Sequence, residues 1–418
     1  MKPEYLGDGL VMRNASREDM PALLEHFRVI HGLNVVEMLR VLLEHNHRFS
    51  WEDSFVIADP NSGEIVSCVI LLQNTWSLDG IEFPSVEMEA VGTLESHRYK
   101  GHIRMLNDEY EKRAAQHHPV ILAIAGIPNF YREFGYDYAA ALGGGFPITP
   151  GFVPKVPEGE KEPVTFRTVT TRNFKEFLRY REGKLPWRTW TRKMQPEDAR
   201  YLIFDTPSPE HEATFFYLVR KGGRTVGVFF LARWENRLDV LELYLDDCSH
   251  VDAVLRFALE RAHEWNEISV RVTPPNQAQV REWVCARAQT WVPFRYAWYI
   301  KIPSIPRFIE TLSPLFSDRL RDTEFQTFTG DLTFTTYKEG YTLSFENGVF
   351  KGVTERSERN PREYKLRIPT GPLTRLLMGY ETLDELMDHE PDVQCAATWR
   401  PLVRLLFPKL GATVDPYY

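Results

Sequence analysis

The segment from Val91 to Arg104 contains the residue types in this chain that are best suited to a chemical task. It reads Val-Gly-Thr-Leu-Glu-Ser-His-Arg-Tyr-Lys-Gly-His-Ile-Arg, and a long helical pattern follows it. A strand that passes through such a turn into a helix presents unpaired backbone N–H groups and the positive end of the helix dipole. Because these groups bind phosphates, the segment is predicted to hold a pyrophosphate.

The elements around this turn are predicted from their hydrophobic periodicity. Apolar residues recur every three or four positions from Ile103 to Ala114, which indicates an amphipathic helix. The runs 81–93 and 120–125 read as strands, and Tyr-Arg-Glu-Phe-Gly-Tyr at 131–136 follows the second of them. A plain βαβ unit with an arginine at the helix start is the simpler interpretation of the same order.

This order resembles the coenzyme A-binding half of the GCN5-related N-acetyltransferase (GNAT) superfamily. The local forms 97–103 and 131–136 look most like its Eis (enhanced intracellular survival) branch. The resemblance implies acetyl-CoA as co-substrate, and a strand N–H that faces the thioester oxygen as in an oxyanion hole. In that strand Gly92 fits a close approach to the coenzyme, and a β-bulge is its simpler explanation. The implied coenzyme contacts are Val91, Gly92, Thr93, Arg98, Tyr99, Lys100, Gly101, His102, Ile103, Arg104, Gly126 and Ile127.

Acetyl transfer to an amine also needs a general acid and a base. The resemblance assigns the acid to Tyr131, since a phenol is protonated at neutral pH, and we expect Tyr136 in the same segment to be a packing residue. It assigns the base to the α-carboxylate of Tyr418. Glu87 and Glu89 compete for that role because residues two apart share one face of a strand, unless both lie on a solvent-facing edge.

The pattern along the chain predicts an α/β (α+β) protein with two tandem GNAT-type domains, the second degenerate. Residues 1–146 form the first domain, 147–163 a linker, and 164–300 a second copy of the same order. That copy has Asp246–Asp252 in place of the basic turn, and its carboxylates would repel a pyrophosphate, so we expect no coenzyme A there. Residues 301–418 resemble the sterol carrier protein-like domain that ends Eis-family chains.

Composition narrows the classes of function. A net charge of −8 argues against a nucleic-acid-binding surface. The sequence contains no run of about 20 apolar residues, so no membrane span is expected. The four cysteines lie far apart and read as reduced thiols of a cytoplasmic protein, and the histidines lack metal-ligand spacing, so no metal is expected. Trp187 and Trp190 are expected to be core residues rather than an acceptor pocket. Family resemblance implies a homo-hexamer.

These observations favour an N-acetyltransferase that moves acetyl from acetyl-CoA to a primary amine by direct attack in a ternary complex. The acceptor implied by the resemblance is a small cationic molecule, either aminoglycoside-like or polyamine-like. The alternative is a lipid- or small-ligand-binding protein that uses the C-terminal domain on a vestigial acyltransferase scaffold.

Overall fold

The computed structural model describes residues 1–142, 144–203, 213–234, 236–288, 296–357 and 360–414. The elements of the first region are β1 (Glu4–Tyr5), β2 (Val11–Asn14), α1 (Met20–His31), α2 (Leu33–His45), β3 (Ser54–Ala58), β4 (Ile65–Leu78), β5 (Ile81–Thr93), α3 (His102–Gln116), β6 (Ile121–Ile124) and β7 (Asp137–Leu142). The strand predicted over 81–93 has those bounds, the strand predicted over 120–125 is β6, and the predicted amphipathic helix is α3.

The second region follows the same order, as the sequence predicted. Its elements are β8 (Phe146–Pro147), β9 (Thr165–Thr168), α4 (Phe174–Glu182), β10 (Thr189–Arg192), α5 (Ala199–Leu202), β11 (Ala213–Lys221), β12 (Arg224–Trp234), β13 (Arg237–Leu245), α6 (Val251–Glu264), β14 (Ser269–Val272), α7 (Ala278–Cys285) and β15 (Tyr296–Lys301). The strand order in its sheet is β8-β14-β13-β12-β11-β9.

The third region has strands followed by helices, an α+β arrangement. Its elements are α8 (Ile305–Leu320), β16 (Gly330–Thr335), β17 (Gly340–Glu346), β18 (Val349–Arg356), β19 (Leu366–Arg367), α9 (Thr370–Leu377), α10 (Leu383–His389), β20 (Gln394–Cys395), α11 (Arg400–Leu406) and β21 (Gly411–Thr413). Its sheet runs β18-β17-β16-β19-β20.

The first two sheets exchange strands across the predicted domain boundaries. The first sheet runs β1-β2-β3-β4-β5-β6-β15-β7, so β15 lies between two strands of the first region although the boundary at 300 assigns it to the second. Conversely, β8 pairs with β14 in the second sheet. Strand membership depends on pairing between distant segments, which periodicity does not report. At β15 and β8, therefore, the predicted boundaries do not coincide with the sheets.

The first sheet is also extended by short strands from the other two regions. The far end of β4 pairs with β10, and β10 pairs in parallel with β21, the last strand described. Trp190 on β10 is buried in the resulting core, where its indole N–H donates to the Met378 carbonyl at 2.7 Å. Trp187 is 66% exposed, so the core prediction holds for Trp190 and is wrong for Trp187.

Helices cover both faces of the first sheet. Leu106 and Tyr110 of α3 pack on one face against Val86 and Met88. Helices α1 and α2 pack on the opposite face, where Phe27 is fully buried. No helix within the described ranges combines the length and apolarity needed to cross a bilayer.

Candidate active site

A cleft opens between β5 and β6. In the described residues the parallel ladder between them ends at Glu87 and Ala123. Just beyond, β5 contains a β-bulge: Ile70 pairs with Glu89 and Cys68 with Gly92, so β5 has one residue more than β4, and Ala90 has a φ of 49°. Because a bulge bends its strand, residues 90–93 diverge from β6 and form one wall of the cleft.

Gly92 lies within this wall, and its lack of a side chain has a packing cause. A Cβ there would lie 2.9 Å from Ile30 Cγ2 and 3.0 Å from His26 Nε2, both on α1. The His26 ring is held by Nδ1, which lies 2.8 Å from the Ile65 carbonyl oxygen. The β-bulge that was the simpler explanation of Gly92 is therefore present. The close packing of α1 against the strand is a second reason for a glycine at this position.

The basic turn joins β5 to α3 as predicted. Gly101, with φ 80°, is the residue before the helix, and its left-handed backbone explains a glycine at this position. Arg98, Lys100 and Arg104 are all exposed to solvent. Arg104 Nη2 lies 3.2 Å from a Glu133 carboxylate oxygen. Lys100 Nζ lies 3.9 Å from an Asp8 carboxylate oxygen, so two of the three exposed cations at the start of α3 already have an acidic neighbour.

The remaining turn residues divide into exposed and buried ones. Tyr99 is fully exposed and has a φ of 65°. His102 is 4% exposed, its ring stacks on His97 at 6.2 Å, and burial lowers the pKa of His102. The His102 side chain is therefore packed inside the protein, where burial disfavours its charged form.

Tyr131 lies on the opposite side of the cleft, in a 3₁₀ turn over Phe130–Phe134. Its ring covers Gly126 so closely that a Cβ there would lie 2.5 Å from Tyr131 Cδ2. Tyr131 is 4% exposed and packs in one cluster with Val91 of the bulge, whereas Ile127 is 65% exposed. The structure thus brings the predicted acid and the predicted oxyanion strand together, with Gly126 beneath the acid.

Two further tyrosines support Tyr131. Tyr136 is buried, and burial raises the pKa values of both Tyr136 and Tyr110 well above the ordinary range. Tyr299 on β15 contacts the Tyr131 ring at 5.6 Å, and its hydroxyl accepts a hydrogen bond from the Asn129 N–H at 2.6 Å. The sequence did not indicate Tyr299, because β15 reaches the site only through strand exchange.

Glu87 and Glu89 lie on one face of β5, as the strand period predicted, and line a small polar cavity. Both are buried rather than on a solvent-facing edge. Glu87 Oε1 accepts from Trp76 Nε1 at 3.2 Å, and Oε2 accepts from Arg192 on β10. Glu87 therefore has a buried counter-ion, Arg192, which the sequence did not reveal because it lies 105 residues away.

Tyr418, the predicted base, lies outside the described residues. The last described residue, Val414, is 2% exposed, and its carbonyl accepts a hydrogen bond from Trp298 Nε1 at 2.6 Å. Trp298 packs edge-on against Trp76 at 6.0 Å, and Trp76 donates to Glu87. The chain at Val414 is thus anchored to the side chains that support Glu87.

The second copy has the same bulge, but the strand backbone beyond it is hydrogen-bonded to a side chain of the protein. Val228 pairs with Tyr244 and Phe230 with Leu241, and Glu242 between them has a φ of 44°. Beyond the bulge, the Gln277 side chain is hydrogen-bonded to both the N–H and the C=O of Leu245, each at 2.9 Å. The backbone edge that faces an open cleft in the first copy is therefore paired with protein in the second.

The acidic turn of the second copy is also engaged internally. Asp246 accepts hydrogen bonds from Lys184 and Tyr180, both at 2.8 Å. Asp252 forms a bidentate ion pair with Arg287, with N···O distances of 2.6 and 2.8 Å. These contacts give the carboxylates a structural role and partly neutralise them, and the absence of coenzyme from this copy stays a prediction.

Comparison with known proteins identifies the first region. Residues 12–139 match the family described as "Acetyltransferase (GNAT) domain", a span that contains the bulge, the basic turn and Tyr131. No curated protein matches the sequence.

Solved structures resemble almost the entire chain. A probable N-acyltransferase of unknown function from Enterococcus faecalis has a TM-score of 0.70 at 14% identity, covering 98% of this chain and 100% of its own. A GCN5-related N-acetyltransferase from Anabaena variabilis has 0.67 at 15%, with 97% and 98% covered. Eis1 from Mycobacterium abscessus has 0.60 at 12%, with 97% and 100% covered.

Residues 12–139 thus match an acetyltransferase (GNAT) domain, and the mixed α/β fold is shared with the three structures over nearly their full lengths. None of these matches concerns a sterol carrier protein domain, so that resemblance of residues 301–418 stays a prediction.

Proposed function

We propose that this chain transfers the acetyl group of acetyl-CoA to a primary amine of a small cationic acceptor, by direct attack in a ternary complex. The observation that carries the proposal is the edge of β5 beyond its bulge, which has no strand partner on the β6 side within the described residues. This edge has the basic start of α3 at one end and lies across the cleft from Tyr131. The start of α3 would bind the phosphates, the edge of β5 the thioester, and Tyr131 would protonate the leaving thiolate.

Coenzyme binding would use backbone and side chains together. The pyrophosphate would bind at residues 98–104, where helix N–H groups and three exposed cations converge. The pantetheine arm would lie along residues 91–93, whose backbone can pair with its amides as an added strand. Gly126 and Ile127 would form the opposite wall of the channel.

Acetyl transfer would then proceed through a tetrahedral intermediate. The acceptor amine attacks the thioester carbonyl carbon, and the Val91 N–H stabilises the developing oxyanion. The C–S bond breaks, and the thiolate receives the Tyr131 hydroxyl proton as it leaves. The base removes a proton from the amine, and this proton passes to the Tyr131 oxygen, directly or through solvent, which restores the hydroxyl.

The α-carboxylate of Tyr418 is the proposed base, and Glu87 and Glu89 are its competitors. Anchoring of Val414 by Trp298 supports the first assignment, because it brings the end of the described chain beside the support of Glu87. Each oxygen of Glu87 accepts one hydrogen bond, from Trp76 or from Arg192, and keeps a second lone pair that could receive the amine proton.

The alternative function, lipid or small-ligand binding by residues 301–418, has less support. The apolar face of the third sheet is packed by helices, with Phe316 of α8 contacting Phe350 and Phe407 edge-on at 5.7 and 5.6 Å. The cavity of about 410 Å³ beside α9 and α10 has charged rim residues, among them Glu385 and Lys409. Neither feature favours a lipid.

The proposal is tested first by thermal unfolding with and without acetyl-CoA, where binding is expected to raise the melting temperature. Free thiol release is then followed with a panel of polyamines and aminoglycosides, with Tyr131→Phe as the slow variant. The absence of any stabilisation by acetyl-CoA would refute the proposal. To test the base, a few residues are added after Tyr418; undiminished turnover would exclude the α-carboxylate and direct attention to Glu87→Gln and Glu89→Gln.

A further inference from the structure

Two side chains of β4 hold the bulge of β5 from behind. Cys68 Sγ lies 3.0 Å from the Ala90 carbonyl oxygen, and Ser67 Oγ lies 3.0 Å from the Gly92 carbonyl oxygen. Both side chains are fully buried. Since neighbouring residues of a strand project to opposite faces, the two contacts reach β5 from its two faces.

The Cys68 contact to Ala90 replaces part of the ladder that the bulge interrupts, whereas Gly92 keeps its register partner Cys68 and Ser67 adds a further contact to its carbonyl. A bulge leaves backbone groups without their regular cross-strand partners, and buried carbonyls must then find other donors. Burial raises the pKa of the Cys68 thiol far above its ordinary range, so the thiol keeps its proton and can act as donor. Ser67 Oγ also lies 2.7 Å from Thr93 Oγ1, which lets Thr93 donate to Ser67 while Ser67 donates to Gly92.

The direction of these carbonyls determines the direction of the next N–H groups. In a planar trans peptide the C=O of one residue and the N–H of the next point in opposite directions. When Cys68 holds the Ala90 carbonyl toward β4, the Val91 N–H must point away from β4, on the cleft side. The same geometry directs the Thr93 N–H, because its peptide partner is the Gly92 carbonyl held by Ser67.

We propose that Cys68 and Ser67 are positioning residues for acetyl transfer, which aim the Val91 and Thr93 N–H groups at the coenzyme by holding the carbonyls of Ala90 and Gly92. This inference rests on the proposed function and adds specific residues to it. Neither side chain touches the substrate; each acts through a peptide plane. The consequence is that thioester polarisation depends on a buried thiol on the neighbouring strand.

The test compares Cys68→Ala, Cys68→Ser and Ser67→Ala with the wild type. Oxyanion donors act only when well placed, and an error near 1 Å can cost about 100-fold, so Cys68→Ala is expected to lower kcat by about 10- to 100-fold. The Kd for acetyl-CoA, measured by calorimetry, should change less than about 3-fold because the phosphates bind elsewhere. Cys68→Ser, which keeps a donor, should recover part of the loss.

A spectroscopic readout separates positioning from a general loss of stability. The infrared band of acetyl-CoA labelled with ¹³C at the thioester carbonyl should shift on binding to the wild type, and this shift should be smaller in Cys68→Ala. Cys395→Ala is the matched control: it is another buried cysteine with a backbone contact, to the Ala396 carbonyl oxygen at 3.7 Å, and lies in the third sheet. It should behave as the wild type in every assay.

The outcomes distinguish this inference from the proposed function. A wild type that binds no acetyl-CoA overturns both. A wild type that is active, together with a folded Cys68→Ala whose kcat is within 2-fold and whose infrared band is unchanged, overturns the positioning role alone. If Cys68→Ala fails to fold, Ser67→Ala decides by the same two measurements, because it removes the second contact and leaves the thiol in place.

Discussion

Replacing Gly126 with alanine is expected to slow acetyl transfer far more than its small size suggests. The added Cβ would lie 2.5 Å from Tyr131 Cδ2 and 3.0 Å from Cζ, where ordinary contacts begin at 3.4 Å. The Tyr131 ring would therefore have to move by roughly 1 Å, a displacement large enough to misplace a catalytic group. It cannot simply rotate into solvent, since Phe130, Phe134 and Tyr136 enclose it.

The expected loss follows from the role proposed for the tyrosine hydroxyl. A displacement of about 1 Å can cost on the order of 100-fold in rate, and complete loss of a general acid about 10²- to 10⁴-fold. We therefore expect kcat of Gly126→Ala to fall about 100-fold, and that of Tyr131→Phe by at least as much. Thiol release at saturating amine and acetyl-CoA measures both.

A double-mutant cycle tests whether the two effects share one cause. If Gly126→Ala acts through Tyr131, the variant carrying both changes should be about as slow as Tyr131→Phe alone, because the hydroxyl is already absent. Gly151→Ala is the matched control, since a Cβ there meets nothing within 4 Å. Full multiplication of the two losses, or a Gly126→Ala enzyme with half of wild-type kcat, would refute the reasoning.

Three further predictions concern stability. Burial lowers the pKa of His26 from 6.5 to about 4, so between these pH values the unfolded chain binds a proton that the folded chain does not. About 3 kcal/mol of stability should therefore be lost as the pH falls from 6.5 to 4. Urea unfolding of the wild type and of His26→Asn across this pH range measures the loss. Arg181→Met leaves Glu242 buried without its cation and should lower the free energy of unfolding by about 3–5 kcal/mol, most of which the additional Glu242→Met change restores. Gln277→Ala unpairs the Leu245 backbone and should cost about 1–3 kcal/mol, while calorimetry still finds a single acetyl-CoA per chain.

Each of these predictions has a result that contradicts it. An equally steep acid loss in His26→Asn would assign the slope to other groups, with the exposed His118→Asn as control. Equal unfolding free energies for Arg181→Met and the double variant would show that the lone Glu242 carboxylate is tolerated. A second equivalent of coenzyme bound by Gln277→Ala would mean that this side chain alone keeps the second cleft closed.

Local signals predicted the strand and helix around the basic turn well. The strand over 81–93 and the start of α3 after Gly101 both follow the sequence, because apolar periodicity and a left-handed glycine are properties of neighbouring residues. The shared face of Glu87 and Glu89 follows from the two-residue strand period in the same way.

Partners from distant segments could not be predicted in this way. Arg192, which neutralises Glu87, and Tyr299, which supports Tyr131, reach the site through β10 and β15. Both strands join the first sheet, although their neighbours along the chain, β9, β11 to β14 and β8, form the second sheet. Their pairing depends on long-range packing, and one sequence contains no local signal for it.

The two copies separate what the fold provides from what the site requires. Both have a bulge at the same place, with Ala90 at φ 49° and Glu242 at φ 44°, so the bulge belongs to the architecture and by itself implies no coenzyme. The difference lies in the backbone beyond it, which Gln277 pairs in the second copy. A strand edge that the protein has paired with its own amide has no bonds left for a ligand, whereas the edge at residues 91–93 still does. Coenzyme binding should therefore need an open strand edge together with a basic turn, and of the two copies only the first combines them, so that opening the second edge alone should add no coenzyme.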